Sequence, residues 1–562
     1  MTIRRIAGFA ASVAVGALVL TACSGTPSDT ESSPSTDGTS TGIVTANGNE
    51  PQRPLVPSDT NEVGGGKILD LLFAGLVYYD AEGKPLNEVA ESIETEDQQN
   101  YTITLKSGWT FTNGEDVTAK SFVDAWNYGA LSTNGQLSSY FFENIEGFAD
   151  ANYCEPDAGP VDEDGKPTCL PAPKAENMSG LVAVDDSTFT VALVQPEADF
   201  PLRLGYSAFF PLPEAAFTDI AAFGENPIGN GPYKLAKEGA WEHNVGLDLV
   251  PNADYAGDRA AQNGGVKFTF YETQDAAYND LLSDQLDVLD AVPDSAYGTF
   301  KEELGDRAVN QPSAVFQSFT IPQNLPGFSG EEGKLRRQAI SMAIDRKEIT
   351  DTIFQGTRTP ASDFTSPVIA GWSDSVPGSE VLEFDATKAK ALWAEADAIA
   401  PFTGKFTIGY NVDGGHQSWV DAVTNQLKNN LGIEAVGNPF AVFADLRKQV
   451  TDRTIMGAFR TGWQADYPSL FNFLGPIYAT GAGSNDGDYS NPEFDALLKE
   501  GSAATSVDDA NKIFQQAQEI LFEDLPATPL WYSNVTGGSA TTVENVVFGW
   551  NSVPLYYEVT KS

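Results

Sequence analysis

The sequence predicts a mixed α/β protein that folds as two or three lobes. Segments with strand-like alternation and segments with helical spacing follow each other along most of the 562 residues. They form no regular strand–helix–strand repeat, so strands and helices are expected to be segregated. After an N-terminal leader and tether, roughly 520 residues remain, which is more than one hydrophobic core supports.

The N-terminus has the composition of an export signal. Arg4 and Arg5 precede an apolar stretch at residues 6–20 that is too short and too rich in small residues to span a bilayer comfortably. It ends in Leu20-Thr21-Ala22-Cys23, the pattern of a bacterial lipobox, in which the signal is cut before the cysteine and the thiol is acylated. We therefore expect a signal peptide at residues 1–22 and a lipid anchor at Cys23, which holds the chain at the outer face of the cell membrane.

Residues 23–42 consist mainly of Ser, Thr, Pro, Gly and Asp. This composition has too little apolar surface to fold, so it predicts a flexible tether. The chain as a whole carries 33 Lys and Arg against 78 Asp and Glu, a net charge of −45. Such an acidic protein lacks the basic surface that nucleic-acid binding requires.

Apart from Cys23, the sequence contains two cysteines, Cys154 and Cys169, on either side of an acidic loop rich in Pro and Gly. Outside the membrane such a pair is expected to form a structural disulfide. No cysteine cluster indicates a metal site, and we expect neither a metal nor a cofactor.

Strand and helix patterns can be placed along the rest of the chain. An apolar run at 68–78 opens with helical spacing, and Thr118 is a candidate N-cap for a helix at 119–128. Further helices are predicted at 275–283, 334–354, 416–430 and 510–521. Strands are predicted at 101–106, 188–193, 267–270, 315–321, 406–410 and 529–532.

Four stretches resemble the oligopeptide- and dipeptide-binding proteins of ABC importers, known as solute-binding protein family 5. They are YTITLKSGW with FTNGEDVTAKSFVDAW (residues 101–126), NPIGNGPYKL (226–235), LRRQAISMAIDR (335–346), and GWQADYP (462–468) with YSNPEFD (489–495). Their order along the chain is that of the family.

The resemblance implies a two-lobed fold like that of periplasmic binding proteins, with a ligand cleft between the lobes. Residues 43–74, 198–305 and 530–562 would form the first lobe, residues 75–197 an extra subdomain on it, and residues 306–529 the second lobe. The chain would then cross between the lobes near 305 and 530, and a ligand would close the cleft about this hinge.

The resemblance also implies a function. The chain would be a monomeric, non-enzymatic binding protein that captures peptides and delivers them to the permease subunits of an ABC importer driven by cytoplasmic ATPases. The aspartate of the family motif G-W-x-A-D-Y, here Asp466, would bind the α-ammonium of the peptide, with Trp463 and Tyr467 beside it. An N-cap or surface role for Asp466 and a core role for Trp463 are the alternatives.

Other predicted ligand-binding residues are less specific. Arg460 is a candidate for the peptide carboxylate, because a guanidinium binds that group through two hydrogen bonds. His416 follows a predicted strand and is a candidate donor, although an ordinary histidine at a helix start fits the pattern as well. Asn61, Glu62 and Val63 align with a loop whose backbone pairs with the peptide in the family, but Gly64-Gly65-Gly66 departs from the family pattern.

Two alternatives stay open at this stage. The same fold and transport role can serve another ligand, such as an oligosaccharide, a nickel complex or an opine. A secreted hydrolase is the more remote alternative, because no metalloprotease, nucleophile-elbow or phosphate-loop motif stands in a suitable context.

Overall fold

A computed structural model describes residues 40–156, 158–160, 168–441 and 443–561. The predicted signal peptide, Cys23 and most of the predicted tether lie outside the described residues. The strands are β1 (Ile43–Gly48), β2 (Val77–Tyr79), β3 (Pro85–Asn87), β4 (Ala90–Thr95), β5 (Asn100–Leu105), β6 (Cys154–Glu155), β7 (Leu170–Pro171), β8 (Leu181–Asp185), β9 (Thr188–Ala192), β10 (Tyr233–Leu235), β11 (Trp241–Glu242), β12 (Gly246–Pro251), β13 (Gly265–Phe270), β14 (Val288–Leu289), β15 (Ala308–Thr320), β16 (Arg358–Pro360), β17 (Phe406–Asn411), β18 (Ala435–Phe440), β19 (Ala458–Gln464), β20 (Ala527–Ser539), β21 (Val543–Glu544) and β22 (Thr560–Lys561).

The helices are α1 (Val63–Leu72), α2 (Ala119–Ala130), α3 (Phe148–Ala151), α4 (Phe200–Arg203), α5 (Ile220–Glu225), α6 (Gln274–Leu282), α7 (Phe300–Leu304), α8 (Gly330–Met342), α9 (Arg346–Thr352), α10 (Ala386–Ile399), α11 (Gln417–Leu431), α12 (Phe443–Thr451), α13 (Leu470–Tyr478), α14 (Pro492–Ser502) and α15 (Val507–Asp524). None of these helices is both long enough and apolar enough to cross a membrane.

The largest sheet is mixed and runs through the middle of the protein. Its strands lie in the order β10-β12-β13-β1-β14-β20-β15-β19-β17-β18, with β11 beside β12 and β16 beside β20. At one end β1 is parallel to β13 and β14, and at the other end β17 is parallel to β18 and β19. The two central strands, β15 and β20, are antiparallel to all their neighbours.

The central pair β15–β20 connects two hydrophobic cores. In β15, Val309 packs against the first core and Ala314 belongs to the second. In β20, Tyr532 belongs to the second core and Val535 to the first. The pairing of the two strands shifts register just after Pro312, where the core changes. The fold is therefore two-lobed and mixed α/β, as predicted, and a two-stranded ribbon joins the lobes.

A separate antiparallel sheet, in the order β4-β5-β9-β8, lies within the segment predicted as an extra subdomain. Helix α2 packs against it, and Phe122 and Trp126 on one face of the helix contact Phe189 of β9. Thr118 stands at the N-cap position of α2, and its backbone N–H donates to the hydroxyl of Ser121 over 3.2 Å.

The short hairpin of β6 and β7 carries the two cysteines of the described chain. Cys154 and Cys169 form a disulfide with their Cα atoms 5.6 Å apart. The disulfide joins the two ends of the acidic stretch of sequence between these cysteines.

The single helix predicted at 334–354 is wrong, because the structure divides this segment into α8 and α9. Asp345 caps α9 by accepting a hydrogen bond from the N–H of Glu348 over 2.9 Å. The buried side chain of Arg346 donates to the carbonyls of Ser341, Leu382 and Pro529 over 2.7–3.0 Å. These contacts stabilise the break between α8 and α9. Leu382 and Pro529 lie far from this break in the sequence.

Candidate functional site

A cavity of about 190 Å³ lies between the start of α1 and the end of β19. One side of it is formed by Asn61, Glu62 and Val63, and the other side by Gln464 and Asp466. We call this space the helix cavity. It brings together residues that are about four hundred positions apart, from segments that pack on the two different cores.

A larger cavity of about 720 Å³ lies on the other side of Asp466. Its wall contains five aromatic side chains, and we call it the aromatic cavity; they are Tyr140, Phe141, Trp463, Tyr467 and Phe471. Asp466 lines both cavities. Its carboxylate therefore stands at the junction of a polar space beside a helix and a wide space beside aromatic rings.

The side chain of Asn472, at the start of α13, holds Asp466 in position. The Asn472 Oδ1 accepts hydrogen bonds from the backbone N–H of Asp466 and from the Trp463 Nε1–H, each over 3.0 Å. The Asn472 Nδ2–H donates to the Asp466 carboxylate over 3.2 Å. One amide thus fixes the predicted carboxylate and the predicted aromatic ring relative to each other.

The electrostatic state of Asp466 is unusual for an aspartate. Burial raises the pKa of Asp466 to about 6, and the hydrogen bond from Asn472 only partly opposes this. Among the described residues none forms an ion pair with this carboxylate. A half-buried carboxylate without a counterion can be stabilised by a cation that enters the cavity.

Strand alternation at the end of β19 directs neighbouring side chains into the two cavities. Trp463 lines the aromatic cavity, whereas the next residue, Gln464, lines the helix cavity. Arg460 lies on the same face of β19 as Gln464, four residues earlier, which corresponds to about 13 Å along a strand.

Tyr467 lies in the wall of the aromatic cavity beside a buried ion pair. Arg203 pairs with Glu197 over 3.0 Å, and its guanidinium lies 5.1 Å from the centre of the Tyr467 ring. Two residues further on, the hydroxyl of Ser469 donates to the carboxylate of Asp199 over 2.8 Å. The segment that carries Asp466 is thus fastened to the segment 197–203 on the other side of the cavity.

The predicted loop at Asn61, Glu62 and Val63 is the start of α1. Glu62 is the N-cap residue, and its carboxylate accepts the N–H of Gly65 over 2.9 Å. Gly66 lines the helix cavity, and a Cβ atom added there would meet nothing within 4 Å. The run of glycines that departs from the family pattern is therefore the first turn of a helix, and it leaves room beside the cavity.

Arg460 and His416 line neither cavity and lie together elsewhere. The Arg460 Nε–H donates to the side chain of Asn411, at the end of β17, over 2.9 Å, and its guanidinium lies 4.8 Å from the centre of the Phe443 ring. His416 stands at the N-cap position of α11, where its Nδ1 accepts the Nε1–H of Trp419 over 3.1 Å. A Cβ added to Gly414 would come within 2.6 Å of both Asn411 and His416, so these two side chains are neighbours.

Comparison with known proteins shows to which family the chain belongs. The family model described as bacterial extracellular solute-binding proteins, family 5, matches residues 84–485. The chain belongs to this family. The oligopeptide-binding protein OppA of Bacillus subtilis (strain 168) is 25% identical over 549 residues, which covers 94% of each chain.

Solved structures share the family 5 fold over nearly the whole chain. The murein tripeptide-binding protein MppA in its unliganded open form is 22% identical and superimposes with a TM-score of 0.77, covering 93% of this chain and 98% of that one. OppA of Haemophilus influenzae in complex with the peptide RPPGFSPFR is 23% identical with a TM-score of 0.70, covering 93% and 99%.

Sequence analysis missed two residues that line these cavities. Asn472 carries no distinctive pattern, because its importance comes only from its contacts with Trp463 and Asp466. Asp70 of α1 lines the helix cavity, and it is the one charged residue in the apolar run 68–73. An isolated acidic residue in such an apolar run can be recognised from the sequence as a candidate functional residue. Within the described part of the chain, no group of three or more potential ligands is placed to hold a metal ion.

Proposed function

We propose that this chain binds peptides in the cleft formed by the helix cavity and the aromatic cavity, and delivers them to an ABC importer from outside the cytoplasm. Membership of family 5 supports the transport role. The names of the relatives support the ligand class, because they include oligopeptide- and dipeptide-binding proteins from several bacteria.

The observation that carries the proposal is the state of Asp466. Its carboxylate is half-buried at the junction of the two cavities, and no described residue neutralises it. The α-ammonium of a peptide is a compact cation with three donors, and it is the part of a peptide that such a carboxylate binds best. The first side chain of the peptide then enters the aromatic cavity, past Trp463.

The peptide backbone leads from Asp466 along the end of β19 and the start of α1. Asn61 and Val63 are exposed, and this segment with the space beside Gly66 can receive a main chain, which makes binding tolerant of the peptide sequence. Arg460 lies on the same face of β19 as Gln464, so we assign it to the carboxylate of longer peptides. His416, next to Asn411, belongs to that same end of the site.

The remaining parts of the proposal concern location and motion. Cys23 carries the lipid anchor, and residues 23–42 keep the cleft near the permease. We place the lobes at 43–74 with 198–305 and 530–562, and at 306–529, with residues 75–197 as the extra subdomain. The β15–β20 ribbon is the hinge, because its two strands change core within a few residues of the register shift. The protein works as a monomer.

Identification of the ligands that copurify with the full-length protein tests the proposal. Denaturing the purified protein and analysing the released small molecules by mass spectrometry should yield a mixture of short peptides with free N-termini. A sugar, a nickel complex, an opine or any other single non-peptide solute would contradict it. The released peptides should be intact after long incubation with the protein, since the proposed site binds its ligand and has no hydrolytic step.

A further inference from the structure

The helix cavity contains a second carboxylate beside Asp466. Helix α1 places Val63, Gly66, Lys67 and Asp70 on one face, at helical spacings of three, four and seven residues, and all four line this cavity. Asp70 also lines a smaller cavity of about 60 Å³ on its other side. It therefore lies half-buried between the helix and the C-terminal segment of the chain.

The two cations that line these cavities together with Asp70, Lys67 and Arg259, form hydrogen bonds with other groups. Lys67 forms an ion pair with Asp290 over 2.7 Å and also donates to the carbonyl of Asn47 over 3.0 Å. Neither bond of Lys67 involves Asp70, which lies one turn further along the same face of α1.

Arg259, which lines the smaller cavity, likewise gives its hydrogen bonds to groups other than the Asp70 carboxylate. It donates to both oxygens of Glu88 over 2.8 and 2.9 Å, to the backbone carbonyl of Asp70 over 2.7 Å, and to the carbonyl of Phe73 over 3.1 Å. It thus bonds the backbone of Asp70 and not its carboxylate, although the positive charge of Arg259 lowers the pKa of that carboxylate and partly opposes the effect of burial. Among the described residues, none donates a hydrogen bond to the Asp70 carboxylate or pairs with it within 4.0 Å.

Asp70 and Asp466 both place a negative charge at the helix cavity. Burial raises the pKa of the Tyr79 and Tyr206 hydroxyls, and the charges of both Asp70 and Asp466 raise it further. Both tyrosines line the helix cavity, between the two carboxylates. Burial also raises the pKa of Asp70 to about 6, so both carboxylates are ionised at neutral pH but poorly solvated.

A single α-ammonium can neutralise only one of two separated carboxylates. The third carboxylate of the helix cavity, Glu62, already accepts the N–H of Gly65 at the start of α1 with both of its oxygens. The cavity therefore presents one negative charge more than the end of an ordinary peptide can satisfy, and an uncompensated charge in a poorly solvated space is costly.

We propose that Asp70 binds the cationic side chain of a lysine or arginine near the N-terminus of the peptide, while Asp466 binds its α-ammonium. The cleft then prefers basic peptides over neutral ones of the same size. This inference rests on the proposed function, since it assigns a specificity to the same peptide site.

Titration of the full-length protein with matched tripeptides tests the inference. Lysine is placed at the first, second or third position of trialanine, and each peptide is compared with its norleucine counterpart, which has a similar length and no side-chain charge. At one position the lysine peptide should bind about ten- to a hundredfold more tightly by isothermal titration calorimetry, the range for a hydrogen-bonded charge. Asp70→Asn should remove this preference, so that the lysine and norleucine peptides bind the variant equally well.

Two further variants separate the local contact from the general charge of the protein. Asp70→Glu keeps the carboxylate and should keep a preference for lysine. Asp351→Asn removes one negative charge from an exposed pair with Lys347, outside the cleft, and should leave the preference unchanged.

Equal binding of lysine and norleucine peptides at all three positions of the unmodified protein would overturn the assignment of Asp70 and leave peptide binding itself intact. A lysine preference that survives in Asp70→Asn would also overturn it. If no tripeptide binds, trialanine included, the proposed function fails and the assignment of Asp70 fails with it.

Discussion

Replacing Asp466 by asparagine should stabilise the ligand-free protein, although it removes a binding residue. The carboxylate has no counterion among the described residues, and burial raises its pKa from 3.8 to about 6. About two pKa units correspond to about 3 kcal/mol of unfavourable free energy for the ionised form. The amide introduced by Asp466→Asn carries no charge, and its oxygen can still accept the hydrogen bond that Asn472 gives to Asp466.

The pH dependence of this effect follows from the sign of the shift. The folded protein holds the Asp466 proton more tightly than the unfolded chain does, so ionisation of this carboxylate lowers the free energy of unfolding. The loss develops as the pH rises from about 4 to about 6 and remains at higher pH. Asp466→Asn should therefore have nearly the stability of the unmodified protein at pH 4. Above pH 6.5 its free energy of unfolding should be larger by up to about 3 kcal/mol.

Denaturant unfolding of the ligand-free proteins between pH 4 and pH 8 measures this difference. Asp351→Asn is the matched control, because its carboxylate is exposed and paired, and it should show no such rise with pH. A variant Asp466→Asn that is less stable than the unmodified protein at pH 7.5, or a difference that does not change with pH, would refute the reasoning.

Three other outcomes follow from the site. Asn472→Ala should weaken peptide binding by about 1–3 kcal/mol in calorimetry, because it leaves buried groups around Asp466 without their partner, and an unchanged affinity would contradict this role. Arg460→Gln should weaken the binding of hexaalanine with a free carboxylate about tenfold and leave C-terminally amidated hexaalanine unaffected; equal losses for both would count against the assignment. Replacing Cys154 and Cys169 by serine should lower stability by up to about 3 kcal/mol, measured by denaturant unfolding, without changing peptide affinity, since neither residue lines the cleft cavities.

Most of the strands and helices that local patterns predicted are present in the structure, but several others, such as α10 and α14, were not predicted. The strand at 101–106 and the helix at 119–128 are correct because alternation and helical spacing report which faces are buried against a nearby partner. The break between α8 and α9 was not predictable in this way. It depends on Arg346 and on carbonyls at Leu382 and Pro529, and no local pattern contains those contacts.

The site was predictable only in part, for a similar reason. Asn61 and Asp466 lie about four hundred positions apart in the sequence, and residue spacing cannot show that they share a cavity. Only the resemblance to family 5 predicted that both residues belong to one binding site. Asp70 had a visible signal, a charge within an apolar run, whereas Asn472 had none because its role is a network of hydrogen bonds.

The contact between Asp466 and the α-ammonium of a peptide can be measured directly by a thermodynamic cycle. Calorimetric titrations of the unmodified protein and of Asp466→Asn, each with trialanine and with N-acetyl-trialanine, give the coupling free energy between the two groups. We expect about 2–5 kcal/mol, because each single change leaves a charge in the cleft without its partner. A coupling near zero, with N-acetylated and free peptides bound equally well by the unmodified protein, would contradict the account.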